Sequence, residues 1–199
     1  YEPDTITLNS NSTDFLIDKK SPWADYKNLW YLYDIAKTPF NWHKDLFDYA
    51  RKVQITMFSS PFDNTAVDLL ENLNVPAYKI ASFEATDIPL IKYVASTKKP
   101  MIISTGMANE YEIQEAIDAA RSGGCDDLAI LHCVSGYPAP SDNYNLKTIS
   151  NMIERFGCIT GLSDHTLNNN TAIASVALGA SIIEKHFTTD RSAGGPDDS

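Results

Sequence analysis

The sequence predicts an α/β fold of the (β/α)8 TIM-barrel class, of which this chain forms an N-terminally truncated portion with about six βα units. Short apolar segments alternate with helical segments every twenty to thirty residues or so, which requires parallel strands joined by right-handed crossovers. Polar residues follow nearly every strand, as expected where the strand ends of a barrel meet at one mouth. A doubly wound open sheet is the alternative, and the absence of a Gly-x-Gly-x-x-Gly motif after any strand disfavours its dinucleotide-binding form.

The elements follow from the spacing of apolar residues and from helix caps. The irregular first part predicts a short strand over 5–8 and a helix over 26–36. Asn109 is suited to capping a helix that Gly123 and Gly124 terminate, and Pro89 is tolerated in the first turn of another. The remaining pattern predicts helices over 42–53, 65–73, 88–96, 109–121, 145–156 and 169–177, and strands over 55–58, 77–80, 101–104, 128–132, 159–162 and 181–184.

Composition limits the class of protein. A chain of 199 residues, 43% of them hydrophobic, can bury one core, so we expect residues 1–199 to form one domain, a portion of the barrel. The net charge of -10 argues against nucleic-acid binding. No apolar run is long enough to span a bilayer and no signal-peptide pattern is present, so we expect no membrane association and a cytoplasmic location. The three cysteines lack paired or metal-knuckle spacing, which indicates free thiols.

Two histidines end neighbouring predicted strands. His165 closes the segment Gly161-Leu162-Ser163-Asp164-His165, and His186 lies in Ser181-Ile182-Ile183-Glu184-Lys185-His186-Phe187. Adjacent parallel strands would bring both imidazoles to one pocket, where they could bind a metal and leave positions open for substrate and water. Alternatively, each histidine bonds to a nearby backbone group. Ser163, Asp164 and Lys185 beside them favour a functional site.

A lysine within an apolar strand indicates an anion nearby. The ammonium of Lys79 would be costly to desolvate without a partner. That partner is either a substrate carboxylate or phosphate, or an internal carboxylate such as Glu84. Serines that follow different strands could add hydroxyl donors around one anion, although any one of them could be a turn residue: Ser60, Ser82, Ser104, Ser135 and Ser163.

Other candidates are two carboxylates and one tyrosine. Glu84 and Asp197 are suited to holding sugar hydroxyls, although solvation alone would explain Asp197 in its polar tail. Tyr137 precedes Pro138-Ala139-Pro140, a stiff loop that could hold the ring against a ligand or simply pack it. His43 and His132 are interpreted as structural. Neither a Gly-x-Ser-x-Gly elbow nor a Walker loop is present, which disfavours hydrolase and P-loop activities.

These motifs together resemble the sialic acid synthase family, whose members condense phosphoenolpyruvate with an N-acetylated amino sugar. The resemblance covers residues 58–197 and rests on Phe58-Ser59-Ser60-Pro61-Phe62-Asp63, Tyr78-Lys79-Ile80-Ala81-Ser82, Ile103-Ser104-Thr105-Gly106-Met107, Tyr137-Pro138-Ala139-Pro140, Gly161-Leu162-Ser163-Asp164-His165, Glu184-Lys185-His186-Phe187 and Gly195-Pro196-Asp197. Further segments resemble its pseudaminic branch more than its neuraminate or legionaminic branches: Ser21-Pro22-Trp23, Thr38-Pro39-Phe40-Asn41-Trp42-His43-Lys44 and Ser82-Phe83-Glu84.

The resemblance implies a function and a site. It implies release of phosphate and formation of a nine-carbon 2-keto acid by a carbon–carbon bond-forming transferase, with Mn²⁺ or Mg²⁺ on His165 and His186. Lys79, Glu84, His165 and His186 are the predicted catalytic residues. The predicted substrate-binding residues are Ser60, Lys79, Ser82, Ser104, Ser135, Tyr137, Ser163, Lys185 and Asp197, of which Ser135 departs from the Asn common in the neuraminate branch.

The resemblance also bears on what accompanies this chain. It implies that the first two βα units and a C-terminal antifreeze-like domain are absent here, and that the full-length protein is a homodimer. The chain as given is therefore expected to be a fragment that could be inactive on its own. A synthase of the neuraminate or legionaminic branch, a lyase-type aldolase on the same barrel, and an inactive barrel that binds a sugar acid are the alternatives.

Overall fold

The structure, a computed structural model, describes residues 1–19, 21 and 23–193. Chain contacts divide it into two compact units, one formed by Tyr1–Met57 and Pro61–Asn74, the other by Phe58–Ser60 and Val75–Ser199. No helix of the described residues has the length and apolar character needed to cross a bilayer. The expectation of one partial catalytic domain over 1–199 stays a prediction.

The described residues of the first unit form four α-helices: α1 (Pro3–Ile6), α2 (Leu29–Ala36), α3 (His43–Lys52) and α4 (Asn64–Asn72). Short 3₁₀ helices lie at Thr13–Phe15 and Phe40–Trp42. Side-chain caps set two of the helix starts: Asn28 accepts a hydrogen bond from the Tyr31 N–H, and Asp63 accepts from Thr65 and Ala66. The predicted helices over 26–36, 42–53 and 65–73 are thereby confirmed with slightly different ends.

Two strand predictions in the first 60 residues are wrong. The strand over 5–8 overlaps α1, which begins at Pro3, where a fixed φ and a missing N–H suit the first turn of a helix. Residues 55–58 form no strand; pairing begins one residue later, where Ser59 makes a single parallel bridge to Tyr78. Apolar runs in both places satisfied the pattern, but strand formation also needs a partner along its length.

The second unit is built on a five-stranded sheet. Its strands are β1 (Tyr78–Ile80), β2 (Met101–Ser104), β3 (Leu128–Cys133), β4 (Ile159–Asp164) and β5 (Ile183–Lys185). All neighbouring pairs are parallel, and the spatial order is the chain order, β1-β2-β3-β4-β5. A doubly wound sheet reverses its strand order at a switch point, whereas a barrel does not. The described sheet is therefore a portion of a barrel, which confirms the predicted fold class.

Helices return the chain between these strands: α5 (Ile88–Ala95), α6 (Glu110–Gly123), α7 (Lys147–Phe156) and α8 (Asn170–Ala177), with 3₁₀ helices at Ser82–Thr86 and Ser141–Asn143. Asn109 and Glu112 form a capping box at the start of α6, and Gly124 ends it at a φ of 108°. The cap and stop expected from the sequence are confirmed. A left-handed residue without a Cβ at Gly124 lets the chain turn directly into β3.

The core lies where the strands meet the covering helices. Ile80, Ile103 and Ile130 are at most 1% exposed, as are Ile91 of α5 and Ile117 of α6. Burying each such side chain contributes about 1.5–3 kcal/mol. The continuous apolar character of β2 and β3 follows from burial on both faces, and it leaves the polar residues for the ends of the strands.

Candidate active site

The carboxyl ends of the strands surround two neighbouring cavities. The smaller, of about 240 Å³, is lined by Ser60, Lys79, Ala81, Ser82, Ser104, Cys133, Tyr137, Ser163, His165, Glu184, Lys185 and His186. The larger, of about 500 Å³, shares Tyr137, His165, Lys185 and His186 with it and extends along residues 186–191. Side chains from all five strands or their following loops therefore converge on one edge of the sheet, as expected for a barrel mouth.

Lys79 enters the smaller cavity from the middle of β1. It is only 6% exposed, and its Nζ donates to the carbonyl oxygen of Ile80 at 3.0 Å. The Glu184 Oε2 lies 3.6 Å from that Nζ. Burial lowers the pKa of Lys79, while the charge of Glu184 opposes the shift. Both interpretations of the sequence therefore have a counterpart in the structure. An internal carboxylate lies near the ammonium, but it is Glu184 and not Glu84. The lysine also lines an open cavity that could hold a substrate anion.

Three of the predicted serines line the cavity that Lys79 enters, and their hydroxyls differ in hydrogen bonding. Ser82 accepts from the Met107 N–H at 3.0 Å and lies 3.0 Å from the Ser135 hydroxyl. Ser163 donates to Glu184 Oε1 at 2.6 Å. Ser104, 2% exposed, has no hydrogen-bond partner for its hydroxyl among the described residues.

The other two serines differ in position. Ser60 is half-buried and lines the cavity, whereas Ser135 is reached through its contact with Ser82 and does not line it. Gly106 makes the close approach possible, because a Cβ there would lie 2.7 Å from the Ser135 hydroxyl and 3.0 Å from that of Ser82. Four of the five serines thus border one cavity, and the fifth supports one of them.

The two histidines face each other across the strand ends. The ring centroids of His165 and His186 are 5.1 Å apart, and Tyr137 lies 4.2 Å from the first ring and 5.5 Å from the second. His165 Nδ1 is 2.7 Å from the carbonyl oxygen of Val134, which can only accept, so that nitrogen carries the proton. Nε2 is then the atom directed at the Ser163 side, at 3.5 Å from its hydroxyl.

This donor set is compatible with a metal that has two protein ligands. Burial and the neighbouring His186 both lower the pKa of His165, which favours the neutral imidazole that metals bind. An Nδ1–H held by a backbone carbonyl orients a histidine for binding through Nε2. No group of three or more His, Cys, Asp or Glu side chains suited to a metal occurs among residues 1–19, 21 and 23–193. Any cation here would take its other ligands from water or substrate.

Glu84 stands apart from the cavity walls. It lies on the 3₁₀ helix Ser82–Thr86 and lines neither cavity, and its buried Oε2 has no hydrogen-bond partner within the described part of the chain. Burial raises its pKa to about 7, against the opposing charge of Lys79. Asp197 lies outside the described residues, as do Pro22, Gly195 and Pro196 of the motifs.

Lys185, a predicted substrate-binding residue, has two hydrogen bonds to protein atoms. Its Nζ donates to Asp164 Oδ2 at 2.8 Å and to the carbonyl oxygen of Thr166 at 2.5 Å. The side chain is half-buried and borders both cavities.

Sequence reasoning missed three residues of the site. Glu184 bonds Ser163 and faces Lys79, and Cys133, 5% exposed, forms part of the cavity wall. Tyr144, fully buried, accepts from the His165 N–H at 2.6 Å, and burial raises its pKa to about 12. Position gave a signal for two of them, since Cys133 ends β3 and Glu184 lies one residue before the end of β5. Tyr144 lies in a loop and carried no such signal.

The histidines interpreted as structural have backbone partners. His132 Nε2 contacts the carbonyl oxygen of Tyr144 at 2.5 Å, and burial lowers its pKa. His43 Nδ1 lies 3.1 Å from the carbonyl oxygen of Pro39. Neither lines the two cavities.

Comparison with known proteins gives the family. The sequence profile of the NeuB family matches residues 1–199. Pseudaminic acid synthase of Helicobacter pylori is 46% identical over 197 residues, 99% of this chain and 57% of the relative, and that of Campylobacter jejuni is 43% identical over 192 residues, 96% and 55%. The crystal structure of N-acetylneuraminic acid synthetase from Leptospira borgpetersenii, in complex with citrate, superimposes with a TM-score of 0.82 at 31% identity, covering 88% of this chain and 61% of that one.

These similarities confirm the resemblance inferred from the motifs, including its pseudaminic branch. The chain spans little more than half the length of the two relatives. With a profile matched from end to end and relatives this similar over nearly its whole length, the chain belongs to the NeuB family.

Proposed function

We propose that the protein carrying this chain condenses phosphoenolpyruvate with an N-acetylated amino sugar, releasing phosphate and forming a nine-carbon 2-keto acid, as a pseudaminic acid synthase. The observation that carries the proposal is the small cavity in which a buried lysine and a buried serine hydroxyl, unpartnered within the described part of the chain, lie beside two imidazoles. A neuraminate- or legionaminic-type synthase would use the same arrangement with another amino sugar.

The small cavity suits phosphoenolpyruvate. Lys79 supplies a positive charge whose burial is costly without an anion, and the lowered pKa reports that cost. Ser104 supplies a donor that has no partner among the described residues, while Ser60, Ser82 and Ser163 add hydroxyls around the same space. Hydrogen bonds from several neutral donors and one ammonium to a phosphate or carboxylate are individually stronger than neutral ones.

The larger cavity suits the amino sugar. Tyr137 presents an aromatic face at the boundary of the two cavities, where a sugar ring could stack. Lys185 also borders this space. Asp197 is proposed to hold a sugar hydroxyl on the strength of the motif Gly195-Pro196-Asp197. The adjoining position of the two cavities would place the enol carbon beside the aldehyde, and alignment of two substrates can contribute about 7–11 kcal/mol.

His165 and His186 would hold Mn²⁺ or Mg²⁺. When bound there, the cation supplies Lewis-acid polarisation of the aldehyde oxygen of the open-chain sugar. Val134 fixes the proton of His165 on Nδ1, and Ser163 lies beside its Nε2. These protein contacts orient the imidazole before any ligand arrives.

The two substrates and one water account for every atom of the products. Carbon 3 of phosphoenolpyruvate forms the new bond to the aldehyde carbon, whose oxygen takes up a proton. Water adds to carbon 2 and loses one proton, which balances the proton taken up by the aldehyde oxygen. The carbon–oxygen bond to phosphate then breaks, and the hydroxyl proton leaves with the inorganic phosphate to give the ketone. Glu84 lines neither cavity, so its catalytic role is proposed from the family resemblance alone. Lys79 binds the anion and forms no covalent bond, because the nucleophile is the enol carbon.

The test is an assay of the protein at its full natural length with Mn²⁺, phosphoenolpyruvate and a panel of N-acetylated hexoses. Phosphate release accompanied by a nine-carbon acid in mass spectra is the expected result, and the sugar turned over fastest identifies the branch. Phosphoenolpyruvate binding without phosphate release from any sugar would favour a binding barrel. A product that retains phosphate, or one formed from pyruvate, would favour a lyase-type aldolase.

The remaining expectations rest on resemblance and composition. A homodimer is proposed from the family resemblance, and light scattering of the full-length protein tests it. A cytoplasmic location is proposed from the sequence, and cell fractionation tests it.

A further inference from the structure

We propose that Asp164 and Lys185 are positioning residues that fix the two histidines relative to each other, rather than groups that contact substrate. The inference rests on the proposed function, because it assigns the histidine pair to a metal. Asp164 immediately precedes His165, and Lys185 immediately precedes His186. The two residues are also register partners in the β4–β5 ladder, so their side chains connect the last positions of the two strands.

Asp164 is fully buried and both of its oxygens are used. Its Oδ2 accepts from Lys185 Nζ at 2.8 Å, and its Oδ1 accepts from the Thr166 N–H at 2.9 Å. A buried carboxylate is retained only when an opposite charge and hydrogen bonds compensate for its lost hydration. These bonds hold the Asp164 side chain in place at the end of β4, and they thereby fix the backbone position from which His165 follows.

The Lys185 side chain is likewise held by hydrogen bonds to protein atoms. Two of its three donor hydrogens go to Asp164 and to the carbonyl oxygen of Thr166. The ammonium thus bonds one residue on each side of His165. These two bonds hold the ammonium at the strand ends and leave it one further donor hydrogen, whereas Lys79 lines the cavity that contains the Ser104 hydroxyl, which has no partner among the described residues.

The position of β5 depends on such bonds. The strand has three residues, none of them fully buried, and in the described part of the chain it pairs with β4 alone. A second cross-strand bond, from Ser163 to Glu184, joins the preceding register pair, and consecutive side chains point to opposite faces of a strand. Gly161 lets the chains approach, since a Cβ there would overlap the carbonyl oxygen of Ile182. Bonds on both faces therefore hold His186 opposite His165.

Manganese binding to the full-length protein tests the inference by electron paramagnetic resonance. We expect Lys185→Met to weaken Mn²⁺ affinity about 10- to 100-fold, the usual effect of removing a residue that orients metal ligands. Asp164→Asn should weaken it comparably, and the double variant no further than either one, because both residues form one bond. Lys185→Arg, which keeps the charge, should retain most of the affinity. Lys92→Met, which removes an exposed ammonium from α5, is the matched control.

Binding of phosphoenolpyruvate without metal separates the two roles of Lys185. We expect it to be unchanged in Lys185→Met. Wild-type Mn²⁺ affinity in Lys185→Met, or a loss confined to phosphoenolpyruvate binding, would overturn the positioning role and restore the substrate-binding one. Absence of Mn²⁺ binding in the unsubstituted protein would instead remove the metal from the proposed function, and this inference with it. If Lys185→Met does not fold, the comparison of Lys185→Arg and Asp164→Asn decides, because equal wild-type affinity in both overturns the inference.

Discussion

Replacing Ser104 by alanine is expected to stabilise the unliganded protein and to weaken its binding of phosphoenolpyruvate. The Ser104 hydroxyl is buried at the end of β2 and has no hydrogen-bond partner among the described residues, yet it lines the cavity assigned to the anion. A buried hydroxyl without a hydrogen-bond partner lowers the stability of the fold and is available to bond a ligand. Stability and function should therefore change in opposite directions on its removal.

The magnitudes follow from burial and from the charge of the ligand. An unsatisfied buried hydroxyl costs about 1–3 kcal/mol, so Ser104→Ala should raise the free energy of unfolding by about 1 kcal/mol or more. A hydrogen bond to an ionised group contributes about 1.5–3 kcal/mol, and its loss should weaken phosphoenolpyruvate affinity about 10- to 150-fold. The small change in volume on removing one oxygen contributes little beside these values.

Ser82→Ala is the matched comparison, because Ser82 lines the same cavity but has two partners, Met107 and Ser135. It should weaken the same ligand and destabilise the fold, since the Met107 N–H loses its acceptor. Urea unfolding without ligand and calorimetry with phosphoenolpyruvate provide the two measurements. The reasoning is refuted if Ser104→Ala destabilises the protein as much as Ser82→Ala does, or binds phosphoenolpyruvate with unchanged affinity.

Three further predictions concern other parts of the site. Tyr144→Phe should lower the free energy of unfolding by about 1–3 kcal/mol in urea, because the buried His165 N–H loses its acceptor; the exposed Tyr111→Phe should change it by no more than about 0.5 kcal/mol, and equal stability of the two variants would contradict the role of this bond. The pKa of Glu84, raised by burial from 4.5 to about 7, means that the folded state binds the proton more tightly than the unfolded state. Stability should therefore fall as pH rises between these values, and Glu84→Gln should flatten that slope in unfolding measured across pH; an unaltered slope would place the carboxyl in a more polar setting. His186→Ala should abolish Mn²⁺ binding in calorimetry while circular dichroism stays unchanged, and retained affinity would remove this residue from the metal site.

Local sequence signals were sufficient to predict the structural features that depend only on residues close together in the chain. The cap at Asn109 and the stop at Gly124 act within one helical turn, and both are found where the sequence predicts them. The strands β1 to β4 also lie close to their predicted positions, because short runs of apolar residues in this fold are buried as strands at the centre of the barrel. Residues 55–58 show the limit of that signal. They have the composition of a strand, but only Ser59, the next residue, makes a bridge to β1.

The candidate site shows the same division. Because parallel strands present their carboxyl ends at one edge, the sequence alone brought Lys79, Ser104, His165 and His186 to a common region, and the cavity walls contain all four. It did not identify which carboxylate faces Lys79. Glu84 is near in sequence, yet Glu184 lies 3.6 Å from the ammonium, because β5 folds back beside β4 and directs that side chain across the mouth.

The sequence by itself determined the alternation of strands and helices, the family, and the set of strand ends at which the polar residues gather. Only the tertiary structure decided which of these residues bond to one another: Ser163 to Glu184, Asp164 to Lys185, and Tyr144 to the backbone of His165. The physical reason is the separation along the chain of the residues that interact. Periodicity and caps are set by residues a few positions apart, whereas these bonds join segments whose separation is fixed by strand register and by the helices that return the chain.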